Sequence, residues 1–215
     1  MALETSLWVY WLLCSLAAVV LVANWPKIPL LLSPALSPTL EVEASEIETA
    51  KNRGYFLAVT LGWVATLLAG VGYVVLTRKD ILGAYQIPDL TVFALLNGSL
   101  EQLMFIFWFL LGCAIAKYFG VRSNWKIFGL GFLSYSIYSG FIHGLFWVTV
   151  LPSHQAVDVV RLGLLLLMSL SWMWLFWRYK ALVAIICMHM VIDFITVGHL
   201  HFTWFDSYQL TAFLG

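Results

Sequence analysis

The chain has 215 residues, of which 62% are hydrophobic and only 10% are charged. Soluble globular proteins contain about 45–50% apolar and about 25% charged residues, so this composition is typical of an integral membrane protein. Eleven basic and eleven acidic side chains give a net charge of zero. This balance excludes a basic nucleic-acid-binding protein, an acidic tail protein and a disordered chain.

Six stretches are apolar and close in length to the roughly 20 residues that a membrane-spanning helix needs. In chain order they cover residues 7–23, 55–76, 90–116, 128–150, 157–177 and 181–198. The sequence therefore predicts an all-α integral membrane protein, a bundle of about six transmembrane helices. We expect residues 1–215 to form a single membrane domain without a soluble domain.

Three local features add detail to this bundle. The long connection 24–54 is rich in proline in its first half, and its acidic part, residues 40–51, is typical of a short helix at the membrane interface. The Asn97-Gly98-Ser99 triplet predicts a distortion in the third span. The three cysteines lie in apolar stretches without metal-binding spacing, so we interpret them as small buried hydrophobic residues: Cys14, Cys113 and Cys187.

The distribution of lysine and arginine predicts the orientation, because cytoplasmic loops carry more positive charge. Loops one, three and five contain eight of the eleven basic residues: Lys27, Lys51, Arg53, Lys117, Arg122, Lys126, Arg178 and Lys180. The opposite side contains three: Arg78, Lys79 and Arg161. We therefore expect both termini on the non-cytoplasmic side.

Few ionisable residues lie inside the spans, where each is costly and usually marks function. They are Glu101 in span three, His143 in span four, and His189 with Asp193 in span six. At about 1.5 Å per residue, they lie about 16, 10, 13 and 8 Å from the outer ends of their spans. His189 and Asp193 also share one helix face. The matching depths predict one site, although a structural His189–Asp193 pair remains an alternative.

The motifs around these residues resemble the CAAX-protease and bacteriocin-processing family of membrane endopeptidases, also called Abi proteins. That family has Glu-Glu-x-x-x-Arg, Phe-x-x-x-His and His-x-x-x-Asn/Asp motifs on successive spans. The counterparts here are Glu101-Gln-Leu-Met-Phe-Ile106, Ser139-Gly-Phe-Ile-His143 and His189-Met-Val-Ile-Asp193. The resemblance covers residues 90–200. Three positions depart from the motifs: Gln102, Ile106 and Ser139.

The resemblance implies hydrolysis of a peptide bond in or beside the membrane. Glu101 and His143 would activate a water molecule, while His189 and Asp193 would support the oxyanion. The same four residues could instead bind zinc, because two histidines and two carboxylates are adequate zinc ligands. The sequence leaves the cofactor open. The expected contacts are membrane lipid and a membrane-protein or lipidated-peptide substrate, with no nucleic acid.

Two other functions remain open. The altered first motif, with Gln102 and Ile106, would suit a non-catalytic relative that acts as an assembly factor or subunit of a larger membrane complex. A weaker alternative is that His143 or His189 ligates a haem or chlorophyll. We interpret the remaining histidines as solvated, because they fall in terminal or connecting segments: His154, His199 and His201.

Overall fold

The computed structural model describes residues 3–28, 44–76, 84–150, 159–197 and 209–211. Six helices dominate these ranges: α1 Leu3–Asn24, α2 Ala44–Leu76, α3 Ile87–Tyr118, α4 Asn124–Val150, α5 Val159–Tyr179 and α6 Leu182–Thr196. A 3-10 turn, Trp25–Lys27, follows α1. A short antiparallel ribbon pairs β1, Ala84–Gln86, with β2, Gln209–Thr211. The predicted all-α helical bundle is confirmed.

Four of these helices, α1, α2, α3 and α5, contain apolar segments of 18 residues or more, long enough to cross a membrane. The chain is thus an integral membrane protein. Helix α4 is 27 residues long but contains several serines and tyrosines, which lower its hydropathy. Helix α6 has only 15 residues, so at about 1.5 Å per residue it is shorter than the predicted sixth span.

Helix α3 lies at the centre of the bundle, where it packs along α1, α4 and α6, while α2 packs along α5 and α6. The main core is built from large apolar side chains on α3, α4, α5 and α6, among them Phe105, Tyr135, Trp172, Phe176 and Ile185. This arrangement gives α3 neighbours on most sides, which explains why polar side chains on it are buried.

Three local predictions are wrong. Helix α3 continues without interruption through Asn97-Gly98-Ser99, because Gly98 provides a close contact with α6 rather than a break. Residues from Ala44 onward of the acidic segment form the first turns of α2 instead of a separate helix. Cys14 and Cys113 are buried as predicted, but Cys187 is exposed on α6. The rest of the acidic segment, the proline-rich segment from residue 29 onward and His154, His199 and His201 lie outside the described residues.

Candidate functional site

A partly open cavity of about 780 Å³ lies between the helices, and all six helices contribute to its wall. Most of the lining side chains are apolar or aromatic. The polar part of the wall contains all four residues that the sequence singled out: Glu101, His143, His189 and Asp193. The four residues that the sequence predicted to form one site therefore line one cavity.

Glu101 lies on the inner face of α3 and is held at both carboxylate oxygens. The Tyr10 hydroxyl on α1 donates a hydrogen bond of 2.6 Å to Oε1. The Asn97 side-chain amide, one helical turn before Glu101, donates a bond of 2.8 Å to Oε2. These neutral donors from two helices stabilise a buried carboxylate by hydrogen bonding.

His189 and Asp193 lie one turn apart on the face of α6 that packs against α3, as their spacing predicted. His189 Nε2 lies 3.3 Å from Glu101 Oε2 and 3.6 Å from Asp193 Oδ1. The second carboxylate oxygen of Asp193 accepts a 2.9 Å hydrogen bond from the Asn97 amide. Glu101, His189 and Asp193 form one buried cluster, which we call the carboxylate–histidine cluster.

His143 lines the same cavity but lies outside this cluster. Its Nδ1 contacts the Ser139 carbonyl oxygen at 2.8 Å and the Ser139 hydroxyl at 3.3 Å. The ring of Phe105 stacks on both histidines, with centroid distances of 6.0 Å to His143 and 5.6 Å to His189. The structure thus brings three of the four residues into direct contact and places the fourth beside a shared aromatic ring.

The positions that depart from the family motifs have separate structural roles. Gln102 is fully buried, and its Oε1 lies 3.0 Å from His189 Nδ1. Ile106 is fully buried in the apolar core. Gln102 therefore supports His189, whereas Tyr10 and Asn97 support Glu101.

Sequence reasoning missed three residues around the cluster: Tyr10, Trp11 and Asn97. The Trp11 indole N–H donates a 2.9 Å hydrogen bond to Asn97 Oδ1. The Tyr138 hydroxyl lies 3.2 Å from that of Tyr10 and extends the network to α4. The four-residue spacing between Asn97 and Glu101 was a usable signal. No sequence signal connects α1 with α3.

Three ligand atoms of the cluster face one another: Glu101 Oε2, His189 Nε2 and Asp193 Oδ1. One imidazole nitrogen and two carboxylate oxygens from these side chains lie within 4.8 Å of one another. A site for a metal ion would therefore use these three side chains rather than the four that the sequence suggested.

The fold and this cluster define a multi-pass α-helical membrane protein with an acidic and histidine-containing centre on a partly open cavity. No protein-family model, curated protein or solved structure shows significant similarity to the chain. The resemblance to membrane endopeptidases therefore rests on the three sequence motifs alone.

Proposed function

We propose that the protein is a membrane-embedded endopeptidase, similar to the CAAX-protease and bacteriocin-processing family, with residues 90–200 as the family-like core. One observation carries this proposal: Glu101 and the His189–Asp193 pair, from distant parts of the chain, meet on the wall of a partly open cavity that His143 also lines. Convergent ionisable groups in such a cavity are typical of an active site.

The chemistry follows from the residue types. Glu101 accepts a proton from a water molecule that His143 also binds, and the water oxygen attacks the peptide carbonyl carbon. His189, together with a protonated Asp193, donates hydrogen bonds to the oxyanion that forms. The proton on Glu101 then passes to the amide nitrogen as the C–N bond breaks, which releases an acid and an amine.

The cavity favours a substrate that is itself in the membrane. Its wall is formed mainly by apolar side chains such as Phe93, Ile142, Leu164 and Met168. A cavity of about 780 Å³ is in the range that accommodates a compact ligand or a few residues of a peptide. We propose a membrane-protein segment or a lipidated peptide as substrate.

A non-catalytic role as an assembly factor or subunit of a larger membrane complex is supported by a different observation. The cluster is tied into hydrogen bonds across three helices, from Trp11 and Tyr10 on α1 to Asn97 on α3 and Asp193 on α6. Buried polar bonds between membrane helices also serve to fix helix packing. In this alternative the cluster stabilises the fold that a partner binds.

Glu101→Gln separates the two functions. The variant is expressed in cells that lack the native gene, at an abundance matched to wild type, and newly formed protein N-termini in the membrane fraction are quantified. We expect wild type to produce specific cleavage products that disappear with Glu101→Gln and with His143→Phe. Ser99→Ala, two residues away on α3, serves as the matched control. Full rescue by Glu101→Gln would refute hydrolysis at this site and favour the structural role.

We propose further that both termini lie on the non-cytoplasmic side. The supporting observation is the eight-to-three distribution of basic residues between the two sets of loops. Reporter domains fused to either end, active only outside the cytoplasm, should both be active. Activity of a cytoplasm-dependent reporter at either end would contradict this orientation.

A further inference from the structure

We propose that the carboxylate–histidine cluster receives its substrate from the end of the bundle at which α1 begins, so that the cleaved bond lies in the non-cytoplasmic half of the membrane. That the substrate is a peptide rests on the proposed function. The direction of access is a property of the cavity itself, so it can be tested without any cleavage.

The bundle has two distinct ends, because successive helices run in opposite directions. On α3 and α6, for example, Asn97 faces Asp193 and Gln102 faces His189, as in an antiparallel pair. Helices α1, α3 and α5 begin at one end, which we call the terminal end, and α2, α4 and α6 finish there. The opposite end contains the α3–α4 and α5–α6 turns. We call it the basic end, because five basic residues lie in or beside these turns: Lys117, Arg122, Lys126, Arg178 and Lys180.

The cavity extends from the middle of the bundle to the terminal end. Among the described residues that line it, the ones nearest the basic end are Phe105 on α3, Tyr135 on α4, Trp172 on α5 and His189 on α6. In the other direction the lining reaches half-buried side chains within about one turn of a helix end: Ser6 on α1, Tyr73 on α2 and Thr196 on α6. The cluster is therefore connected by cavity wall to the terminal end.

A close-packed core separates the cavity from the basic end. Phe109, Phe128 and Phe176 are buried there, and the ring of Phe109 lies 5.7 Å and 6.3 Å from the other two ring centroids. A Cβ atom added at Gly131 would lie 2.5 Å from Cys113 Sγ, so α3 and α4 leave no gap at this level. At about 1.5 Å per residue this core is about 10–20 Å thick. A peptide cannot cross a core of such density unless the helices separate.

The distance from the terminal end to the cluster suits a short peptide segment. Tyr10, which donates a hydrogen bond to Glu101, lies on α1, which begins at Leu3. His189 lies on α6, which ends at Thr196. Both are about 10 Å from these helix ends at about 1.5 Å per residue. About three residues of extended peptide span this distance, so the reacting bond would lie only a few residues below the terminal end.

The charge distribution assigns the terminal end to the non-cytoplasmic side. Lysine and arginine accumulate on the cytoplasmic side of membrane proteins. The basic end has five such residues, and between residues 102 and 192 the sequence contains a single acidic residue, Asp158, which precedes α5. The substrate class that follows is a membrane-anchored peptide whose cleaved bond lies at or just inside the non-cytoplasmic surface.

The test is the reaction of introduced cysteines with a charged, membrane-impermeant thiol reagent, added to right-side-out or inside-out membrane vesicles. Ile192 and Ile185 form a matched pair on one face of α6. Ile192 lines the cavity, whereas Ile185, nearer the basic end, is fully buried in the core. In right-side-out vesicles we expect Ile192→Cys to react about 10-fold or more faster than Ile185→Cys, because a core side chain reacts only when the helix opens locally. Wild type gives the background rate.

Two serine variants, which change the side chain least, test the inference if the isoleucine variants fail to fold. Ser6→Cys, at the terminal end of the cavity, should react in right-side-out vesicles. Ser123→Cys, exposed at the basic end, should react only in inside-out vesicles. Reaction of Ser6→Cys or Ile192→Cys in inside-out vesicles alone, or equal rates for Ile192→Cys and Ile185→Cys, would overturn the proposed direction of access.

The positions of cleavage separate this inference from the proposed function. We expect the newly formed N-termini to map to the non-cytoplasmic surface of membrane proteins or just inside it. Cleavage confined to cytoplasmic segments would overturn the inference and leave the proposed function intact. Reaction of Ile192→Cys from the expected side without any cleavage would refute the proposed function and support the direction of access.

Discussion

Asn97 and Asp193, 96 positions apart in the sequence, are joined by a 2.9 Å hydrogen bond that connects α3 with α6. The same amide nitrogen also donates to Glu101, and the amide oxygen accepts the indole N–H of Trp11 on α1. Because Trp11 occupies the oxygen, the NH₂ group must face the two carboxylates. Asn97 therefore fixes both the packing of three helices and the separation of two acidic groups.

Replacing Asn97 with alanine should destabilise the protein. The change removes a donor from two buried carboxylates and leaves the Trp11 N–H without its acceptor. Hydrogen bonds between membrane helices are worth about 0.6 kcal/mol on average, and unsatisfied buried groups cost more, so we expect a loss of about 1–2 kcal/mol. Thermal unfolding in detergent measures this loss of stability. Ser99→Ala is the control, since within the described part of the chain Ser99 donates its hydrogen bond to Leu95 of its own helix. Equal stability of the two variants would contradict the bridging role.

Tyr10→Phe tests whether α1 contributes to the site. The aromatic ring remains, but the change removes the hydroxyl that donates a 2.6 Å hydrogen bond to Glu101 Oε1. A hydrogen bond to a charged group is worth about 1.5–3 kcal/mol, so we expect the proposed cleavage to slow by about 10-fold or more. Tyr55→Phe, an exposed tyrosine on α2, is the matched control. If the two variants cleave at the same rate, α1 is only a packing element.

Gly98 allows α3 and α6 to approach closely enough to form the cluster. A Cβ atom at this position would lie 2.7 Å from the backbone nitrogen of Met190 and 2.8 Å from its Cα, and backbone atoms cannot move aside as a side chain can. Gly98→Ala should therefore cost about 1–3 kcal/mol in thermal unfolding, as overpacking does.

The control for this change is Gly129→Ala on α4, where an added Cβ meets no atom of the described residues within 4 Å. It should leave stability unchanged or raise it slightly, since alanine favours helix more than glycine does. If Gly98→Ala behaved in the same way, the close approach of α3 and α6 would not depend on this glycine.

Hydropathy was sufficient to predict the six helices, and helical spacing placed His189 and Asp193 on one face. Similar distances from the span ends grouped Glu101 with this pair, and the structure brings the three side chains into contact. Distance along a span contains no information on lateral position, however, and His143 lies beside the cluster rather than in it. Tyr10 and Trp11 could not be assigned, because contacts between α1 and α3 depend on how helices separated by more than 80 residues pack. The prediction that Cys187 is buried was wrong, because apolar composition does not distinguish a lipid-facing from a core-facing position.

Lys180 should make stability depend on pH in the alkaline range. It lies between α5 and α6 with φ of 57°, and its Nζ donates a 2.6 Å hydrogen bond to the Trp177 carbonyl. Partial burial, together with the positive charge of Arg178, lowers the pKa of Lys180 below its ordinary value. The unfolded chain therefore binds the proton more tightly than the folded one. The resulting destabilisation is complete below the folded-state pKa and decreases as the pH rises through that value towards the ordinary one.

The measurement compares the free energy of unfolding of wild type and Lys180→Met from neutral to alkaline pH. Other groups titrate in this range in both proteins, so only the difference between the two curves reports Lys180. We expect wild type to gain stability relative to Lys180→Met as the pH rises. Lys126→Met, at an exposed position at the start of α4, controls for the loss of a positive charge. Parallel curves for wild type and Lys180→Met would show that burial of Lys180 does not affect its protonation.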